Sequence, residues 1–280
     1  MEVDISDHTR AYIKIEDGCD NFCSYCIIPF VRGKKRSKDF SLVLREVQHL
    51  ANNGYKEIVL TGIDTGGYES NGKDLTDLIH EMSKINGIER IRQSSIEITQ
   101  INEKFINELK NNKKICDHIH IPLQSGSDSI LKLMNRKYDL KYFFDKIDMI
   151  RSVRPDISIT TDVIVGFPGE TEEMFLETMD TCKKINFSKI HAFPYSERKG
   201  TKASMMDGKV PESVKHERVK KLLELSDSLE KSYYDKFKGK KLDVLIEEVS
   251  ESGSKGHTSN YLMVHTNKKL QKGEIYNLIV

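Results

Sequence analysis

Apolar positions recur along the chain at two alternating periods. Short, mostly apolar runs of strand length lie at Ala11–Glu16, Tyr55–Gly62, Ile88–Ile98, Asp117–Leu123, Ile157–Val165 and Ser188–Tyr195. Between them the apolar residues fall at helical spacing. Ser41–Asn53, for example, carries Val43, Val47, Leu50 and Ala51 at i, i+4, i+7 and i+8. Further helices are expected at Asp74–Ile85, Asn102–Asn111, Asp128–Met134, Leu140–Val153 and Thr171–Ile185. Six strand–helix units between residues 11 and 195 match the size of a βαβ repeat. Such alternation implies a parallel sheet, which right-handed crossovers curl. Six units fall short of a closed eight-unit barrel. The expected fold is therefore α/β, a partial (βα)6 barrel with its chemistry at the C-terminal ends of the strands.

The pattern changes after residue 195. Ser196–Pro211 reads as a polar linker, and Val214–Lys236 as a long charged helix with Val219, Leu222, Leu223 and Leu229 on its apolar side. Lys241–Val249, Asn260–Thr266 and Glu274–Val280 return to strand patterning, separated by Gly-containing turns. The expected organisation is a barrel over 1–196, a linker and helix over 197–238, and a small all-β domain over 239–280.

Composition narrows the class. Hydrophobic residues make up 38% and charged residues 31%, ordinary for a soluble domain. No apolar run reaches the roughly 18 residues of a membrane span. The N-terminal Met1–His8 is acidic and lacks an apolar leader core, so the expected location is the cytoplasm. Net charge is +1, divided as +4 over residues 196–280 and −3 over the remainder, a slight bias of the C-terminal part toward nucleic acid. Five cysteines, three of them within eight residues, do not make a disulfide framework.

Those three lie in Gly18-Cys19-Asp-Asn-Phe22-Cys23-Ser-Tyr25-Cys26, directly after the first strand. The spacing C-x3-C-x2-C points three thiolates from one loop at one small object. An iron–sulfur cube held by four cysteines is saturated, whereas one held by three keeps an iron open to a chelating substrate. Zinc sites usually pair two such clips, and the sequence holds no second one. Cys182 shares its helix face with Phe175, Met179 and Ile185, and Cys116 opens a strand; both read as core residues.

With this loop, several segments resemble the radical S-adenosylmethionine (SAM) tRNA methylthiotransferases. They include Thr9–Cys19, Cys26-Ile-Ile-Pro29, Arg32-Gly33-x-x-Arg36-Ser37, Glu57–Ile63, Ser94–Glu97, His118–Ser127, Thr161–Thr171 and Phe193–Thr201. The closest similarity is to the branch acting on N6-threonylcarbamoyladenosine beside the anticodon. The resemblance implies a [4Fe–4S] cluster on Cys19, Cys23 and Cys26, SAM on its open iron, an electron donor, and methylthiolation at C2 of that adenosine. It also implies that residues 239–280 form a TRAM domain, a small RNA-binding barrel, with Gly256–Tyr261 as its recurring turn. The family carries a preceding domain with three further cysteines and a second cluster. Only 18 residues precede Cys19, so a partial chain is expected. Alternatives are a sibling enzyme acting on a ribosomal protein and a non-catalytic RNA-binding module with a structural metal.

Other polar residues are expected at the barrel rim. Thr61 and Gly62 end the second strand, where the family meets the amino group of SAM; by themselves they are a strand-end turn. Glu97 and Gln124 are expected to end the third and fourth strands, where a carboxylate and an amide suit ribose hydroxyls or the methionine moiety. Asp162 interrupts an apolar strand, so it requires either a core Arg or Lys or a ligand, and with the ligand it is counted as a contact of the cofactor. Gly166 lets a flat ring approach the backbone, the adenine side of SAM by resemblance, and Tyr195 leaves the sixth strand beside it. Arg198 suits a phosphate or carboxylate. The run Arg32, Lys34, Lys35, Arg36 either holds tRNA phosphates or is a solvated charge run.

Overall fold

The computed structural model describes residues 9–280. Six parallel strands stand in sequential order: β1 (Ala11–Lys14), β2 (Glu57–Thr61), β3 (Arg90–Gln93), β4 (His118–His120), β5 (Ser158–Val165) and β6 (Lys189–Pro194). They form two three-stranded halves, β1–β3 and β4–β6. Single bridges Ile91–Ile115 and Ser95–His120 join the halves. The expected Ile88–Ile98 strand is thus much shorter, because the chain leaves the ladder after Gln93 and turns into a short 3-10 helix at Ile98–Gln100.

Strand alternation places two kinds of residue on two faces. Ala11, Ile13, Ile58, Leu60, Ile91, Ile119, Ile159 and Val163 lie in the main apolar core, with residues of the surrounding helices. The opposite, lumenal face carries Glu57, Arg92, His118, His120, Thr160, Asp162 and His191. Helices α1 (Ile28–Arg32), α2 (Phe40–Asn52), α3 (Leu75–Ser83), α4 (Glu103–Asn111), α5 (Asp128–Leu133), α6 (Leu140–Val153) and α7 (Glu172–Ile185) connect the strands. Their starts are written locally: Asp39, Asp74, Asn102, Asp139 and Thr171 each accept a first-turn N–H. Helix α8 (Glu212–Asp235) covers the edge strand β6. There the Ser226 hydroxyl accepts from Ile190 N–H at 3.0 Å and donates to its carbonyl at 3.1 Å, satisfying an otherwise unpaired edge.

The C-terminal part is an antiparallel sheet in the order β9–β8–β7–β10, with β7 at Lys241–Ser250, β8 at Gly253–Thr258, β9 at Met263–Thr266 and β10 at Ile275–Ile279. Strand β8 was not legible: its Gly-Ser-Lys-Gly-His-Thr sequence holds one β-former, Thr258, and two glycines. Gly256 is nevertheless demanded, since a Cβ there would stand 1.8 Å from the Leu245 carbonyl oxygen.

This sheet docks on the N-terminal end of the barrel. Glu57, 1% exposed, lies between Arg90 and Arg92, with Arg92 Nε donating at 2.6 Å. Arg90 also donates to the carbonyls of Asp243 and His257, and Arg92 to those of Thr258 and Ser259. The Tyr261 ring stacks on His257 and His118, with centroids 4.6 and 5.0 Å away, and the Arg92 guanidinium lies over it.

Candidate functional site

The cysteine loop crosses the opposite, C-terminal end of the strands. Gly18 enters it at φ +87°, and a Cβ there would stand 2.3 Å from the Lys34 carbonyl oxygen, so only glycine lets the chain close on itself. Neighbouring backbone holds the loop. Ser24 N–H donates to Met134 O at 3.0 Å, its hydroxyl to Leu133 O at 2.8 Å, and Asn135 Nδ2 to Phe22 O at 2.9 Å. Cys19, Cys23 and Cys26 are all free and half-buried. Burial pushes the Cys19 thiol up to about 11, reinforced by the Asp64 charge and the other two thiols. Burial raises Cys26 as well. Iron binding at these sulfurs therefore has to displace protons.

Arg136 is the side chain that sequence reading missed. Its guanidinium donates to Cys23 Sγ at 3.2 Å and forms an ion pair with Glu97. It lies over the Tyr138 ring, whose hydroxyl donates to Leu123 O at 2.9 Å. Burial pushes the Glu97 carboxyl up, and the Arg136 charge offsets part of that rise. The available signal was the polar break Asn135-Arg-Lys-Tyr-Asp139 between two helices, with Asn135 at φ +60° turning the chain back toward the cysteines.

Thr61 ends β2, and Gly62 turns over the carboxylate of Glu16. Glu16, also unforeseen, accepts the N–H groups of Ile63 at 2.9 Å and Asp64 at 2.7 Å and so pins this turn beside the loop. Glu97 and Gln124 do not end strands. Glu97 precedes the Ile98–Gln100 turn, and Gln124 lies four residues past β4 at φ +66°, bridged to Val163 of β5. Among the described residues Asp162 pairs with neither a core Arg nor a core Lys. It faces the lumen, 28% exposed, with His120 Nε2 at 3.1 Å.

Gly166 differs most from expectation. The room its missing side chain leaves is taken by Lys215 of α8, whose Cγ would lie 2.3 Å from a Cβ. Lys215 Nζ donates to Tyr195 O at 3.2 Å and pairs with Glu212 at 2.7 Å. The Gly166 N–H donates to Glu170 at 2.6 Å, and Glu170 pairs with Arg218 at 2.6 Å. The β5 exit is thus fastened to α8 by aliphatic and ionic contacts. Tyr195 is buried against Phe167 and Ile130 beneath the cysteine loop, and its hydroxyl has no partner among the described residues.

The basic run is exposed. Arg32 and Arg36 approach Asp17 at 3.9 and 3.6 Å, whereas no ion pair involves the Lys34 or Lys35 side chains among the described residues. Arg198 is also exposed.

No three His, Cys, Asp or Glu side chains among the described residues converge on one metal ion. A tetrahedral ion would need thiolates about 3.8 Å apart, given bonds of about 2.3 Å. A cube with iron at its corners holds terminal thiolates farther apart. Three unpaired thiols on one loop, an adjacent guanidinium and an unsatisfied hydroxyl below fit such a group. Residues 13–182 match the Radical SAM superfamily. The chain belongs to that superfamily.

Radical SAM relatives extend the match over nearly the whole chain. It is 46% identical to a threonylcarbamoyladenosine tRNA methylthiotransferase of Bacillus subtilis, over 92% of this chain and 59% of that protein. It is 43% identical to a tRNA-2-methylthio-N(6)-dimethylallyladenosine synthase of Acetivibrio thermocellus, over 91% and 54%. The chain thus spans under two thirds of these relatives' length. Among solved folds, a radical SAM methyltransferase from Kitasatospora setae aligns with TM-score 0.59 at 16% identity, covering 70% of this chain and 38% of that one. Coproporphyrinogen III oxidase from Escherichia coli aligns at 0.58 and 14% identity, covering 81% and 55%. No described helix is long and apolar enough to cross a membrane.

Proposed function

We propose that this chain is the catalytic core of a tRNA methylthiotransferase that modifies C2 of N6-threonylcarbamoyladenosine. The observation carrying this reading is the free thiol triplet at the mouth of a parallel (βα)6 array, together with the names of its relatives. When bound, a three-cysteine [4Fe–4S] cluster with SAM on its open iron supplies one-electron cleavage to a carbon radical.

The chain's own groups hold and orient. Cys19, Cys23 and Cys26 hold the iron. The Arg136 guanidinium, committed to Cys23 and Glu97, holds the cysteine loop against that carboxylate. The strand-end turn at Thr61 and Gly62, pinned by Glu16, offers carbonyls to the ammonium of the methionine moiety. Glu97, Gln124 and the Tyr195 hydroxyl are polar groups for the nucleoside half, and Gly166 supports them through Lys215. Arg32, Lys34, Lys35, Arg36 and Arg198 lie where RNA phosphates approach the mouth. The C-terminal sheet acts as a TRAM-like domain, residues 1–196 as the barrel and 197–238 as the strap between them, in the cytoplasm with a reductant as partner. The same reading gives the whole enzyme a second [4Fe–4S] cluster, held outside this chain.

The B. subtilis relative at 46% favours the threonylcarbamoyl substrate, and the A. thermocellus relative at 43% makes the dimethylallyl nucleoside the second reading. Anaerobic reconstitution with iron and sulfide tests the core. A brown protein that releases 5′-deoxyadenosine from SAM on reduction is expected; a colourless protein that binds zinc instead overturns the reading. Nucleoside mass spectrometry of tRNA from cells lacking the full-length protein then tells the two nucleosides apart.

A further inference from the structure

The lumen holds a polar column that the cofactor chemistry leaves unused. Alternation along β4 and β5 turns His118, His120, Thr160 and Asp162 to one side, away from the apolar core. The Thr160 hydroxyl lies 3.0 Å from His118 Nε2 and 2.9 Å from His120 Nδ1. His120 Nε2 lies 3.1 Å from the Asp162 carboxylate.

Proton counting gives this column a direction. Burial, with the charge of Arg92 next in weight, holds His118 neutral, so one of its two nitrogens is bare. His118 Nδ1 is buried with no hydrogen-bond partner among the described residues. An N–H there would be the costlier kind of orphan, so the hydrogen sits on Nε2, which donates to the Thr160 hydroxyl. That hydroxyl spends its single hydrogen on His120 Nδ1, which accepts. The hydrogen of the His120 ring is then on Nε2, the atom that faces the Asp162 carboxylate as an ion-pair contact.

The far end of the column is open. His191 is exposed, its ring 5.8 Å from that of His120. The edge strands β1 and β6 present Tyr12 and Phe193, each about half exposed. His120, Asp162 and His191 do not form a metal-binding set. A fixed acceptor beside imidazoles and accessible aromatic rings suits a planar heteroaromatic ligand with an N–H or O–H to donate.

We propose that His118, Thr160 and His120 fix Asp162 as the hydrogen-bond acceptor for the target nucleoside of the RNA, making Asp162 a specificity-determining residue and the other three positioning residues. This rests on the tRNA reading above and moves Asp162 from the cofactor to the acceptor side.

Nitrogen-15 NMR of histidine-labelled protein reads the tautomers. Both His118 and His120 are expected with hydrogen on Nε2, and an Nδ1–H form of either ring overturns the chain. Fluorescence anisotropy of the iron-loaded protein compares an anticodon stem-loop carrying the target adenosine with one carrying uridine there. Asp162→Asn is expected to lower the preference for adenosine about tenfold and Thr160→Val about threefold, with Thr160→Ser restoring it. Equilibrium dialysis with SAM supplies the control. Weaker SAM binding with unchanged stem-loop preference returns Asp162 to the cofactor and overturns the proposal, as does a preference that is absent in the wild type or untouched in both variants. A wild-type protein that fails to release 5′-deoxyadenosine defeats the enzyme reading instead, so the two failures are distinct.

Discussion

The two ends of the barrel treat polar groups in opposite ways. At the N-terminal end, Glu57 is shared by Arg90 and Arg92, and both guanidiniums spend their remaining hydrogens on carbonyls of the C-terminal sheet. At the C-terminal end, among the described residues, three thiols form no disulfide, the Tyr195 hydroxyl and Glu16 Oε1 lack partners, and Phe22, Phe30, Val31 and Ile63 are exposed. Both ends are rich in charge, so charge alone does not mark a site. What separates them is saturation, with His118 Nδ1 as the exception at the N-terminal end. Groups whose hydrogen bonds are completed within the chain weld two layers together, and groups left incomplete await something else.

This contrast is open to attack from either end. The largest effect is expected at the mouth. Cys19→Ala is expected to abolish iron loading, read by iron analysis after reconstitution, while shifting unfolding free energy within about 1 kcal/mol. A large loss of stability there would make the loop structural. At the other end, Glu57→Leu strands two buried arginines and is expected to cost about 3–5 kcal/mol in urea denaturation. A neutral result would show that the carbonyls alone suffice.

Gly166→Ala tests the weld of α8 to the β5 exit. A Cβ forced against Lys215 at φ +70° is expected to cost about 2–3 kcal/mol. An unaffected variant would mean that Lys215 moves aside freely. A smaller effect is expected on acidification. His118 is buried neutral, with its proton affinity well below the ordinary value of 6.5. The unfolded chain takes up that proton near 6.5 and the folded one does not, so stability is full above this pH. It falls by about 1.4 kcal/mol per unit as pH drops toward the lower folded value. His118→Gln should flatten the pH profile of the urea midpoint over that window; an unchanged slope assigns it to other groups. The smallest effect is expected for Lys34→Ala with Lys35→Ala, which should weaken tRNA and its uridine-substituted form alike. The log–log salt slope of binding should become shallower by roughly 0.9 for each phosphate no longer neutralised. An unchanged slope would make these lysines a solvated run.

Much of this was legible locally. The βα alternation, the helices from Asp74, Asn102 and Thr171, and the cysteine loop are all short-range patterns. Strand β8 escaped because its glycines serve close backbone approach, a requirement set by a partner strand. Arg136 escaped because its importance lies in meeting Cys23, 113 positions away in sequence. Gly166 was read as room for a ring, and the room was real, but a side chain from α8 fills it.

The sequence by itself determined the order of strands and helices, the position of three thiols on one loop, and the kinship they declare, because these depend on spacing among near neighbours. Only the tertiary structure decided which charges are spent and which are not. A guanidinium has the same sequence signature whether it faces a backbone carbonyl, a thiol or open water. Its partner is chosen by which distant segments the packed core brings within hydrogen-bonding reach.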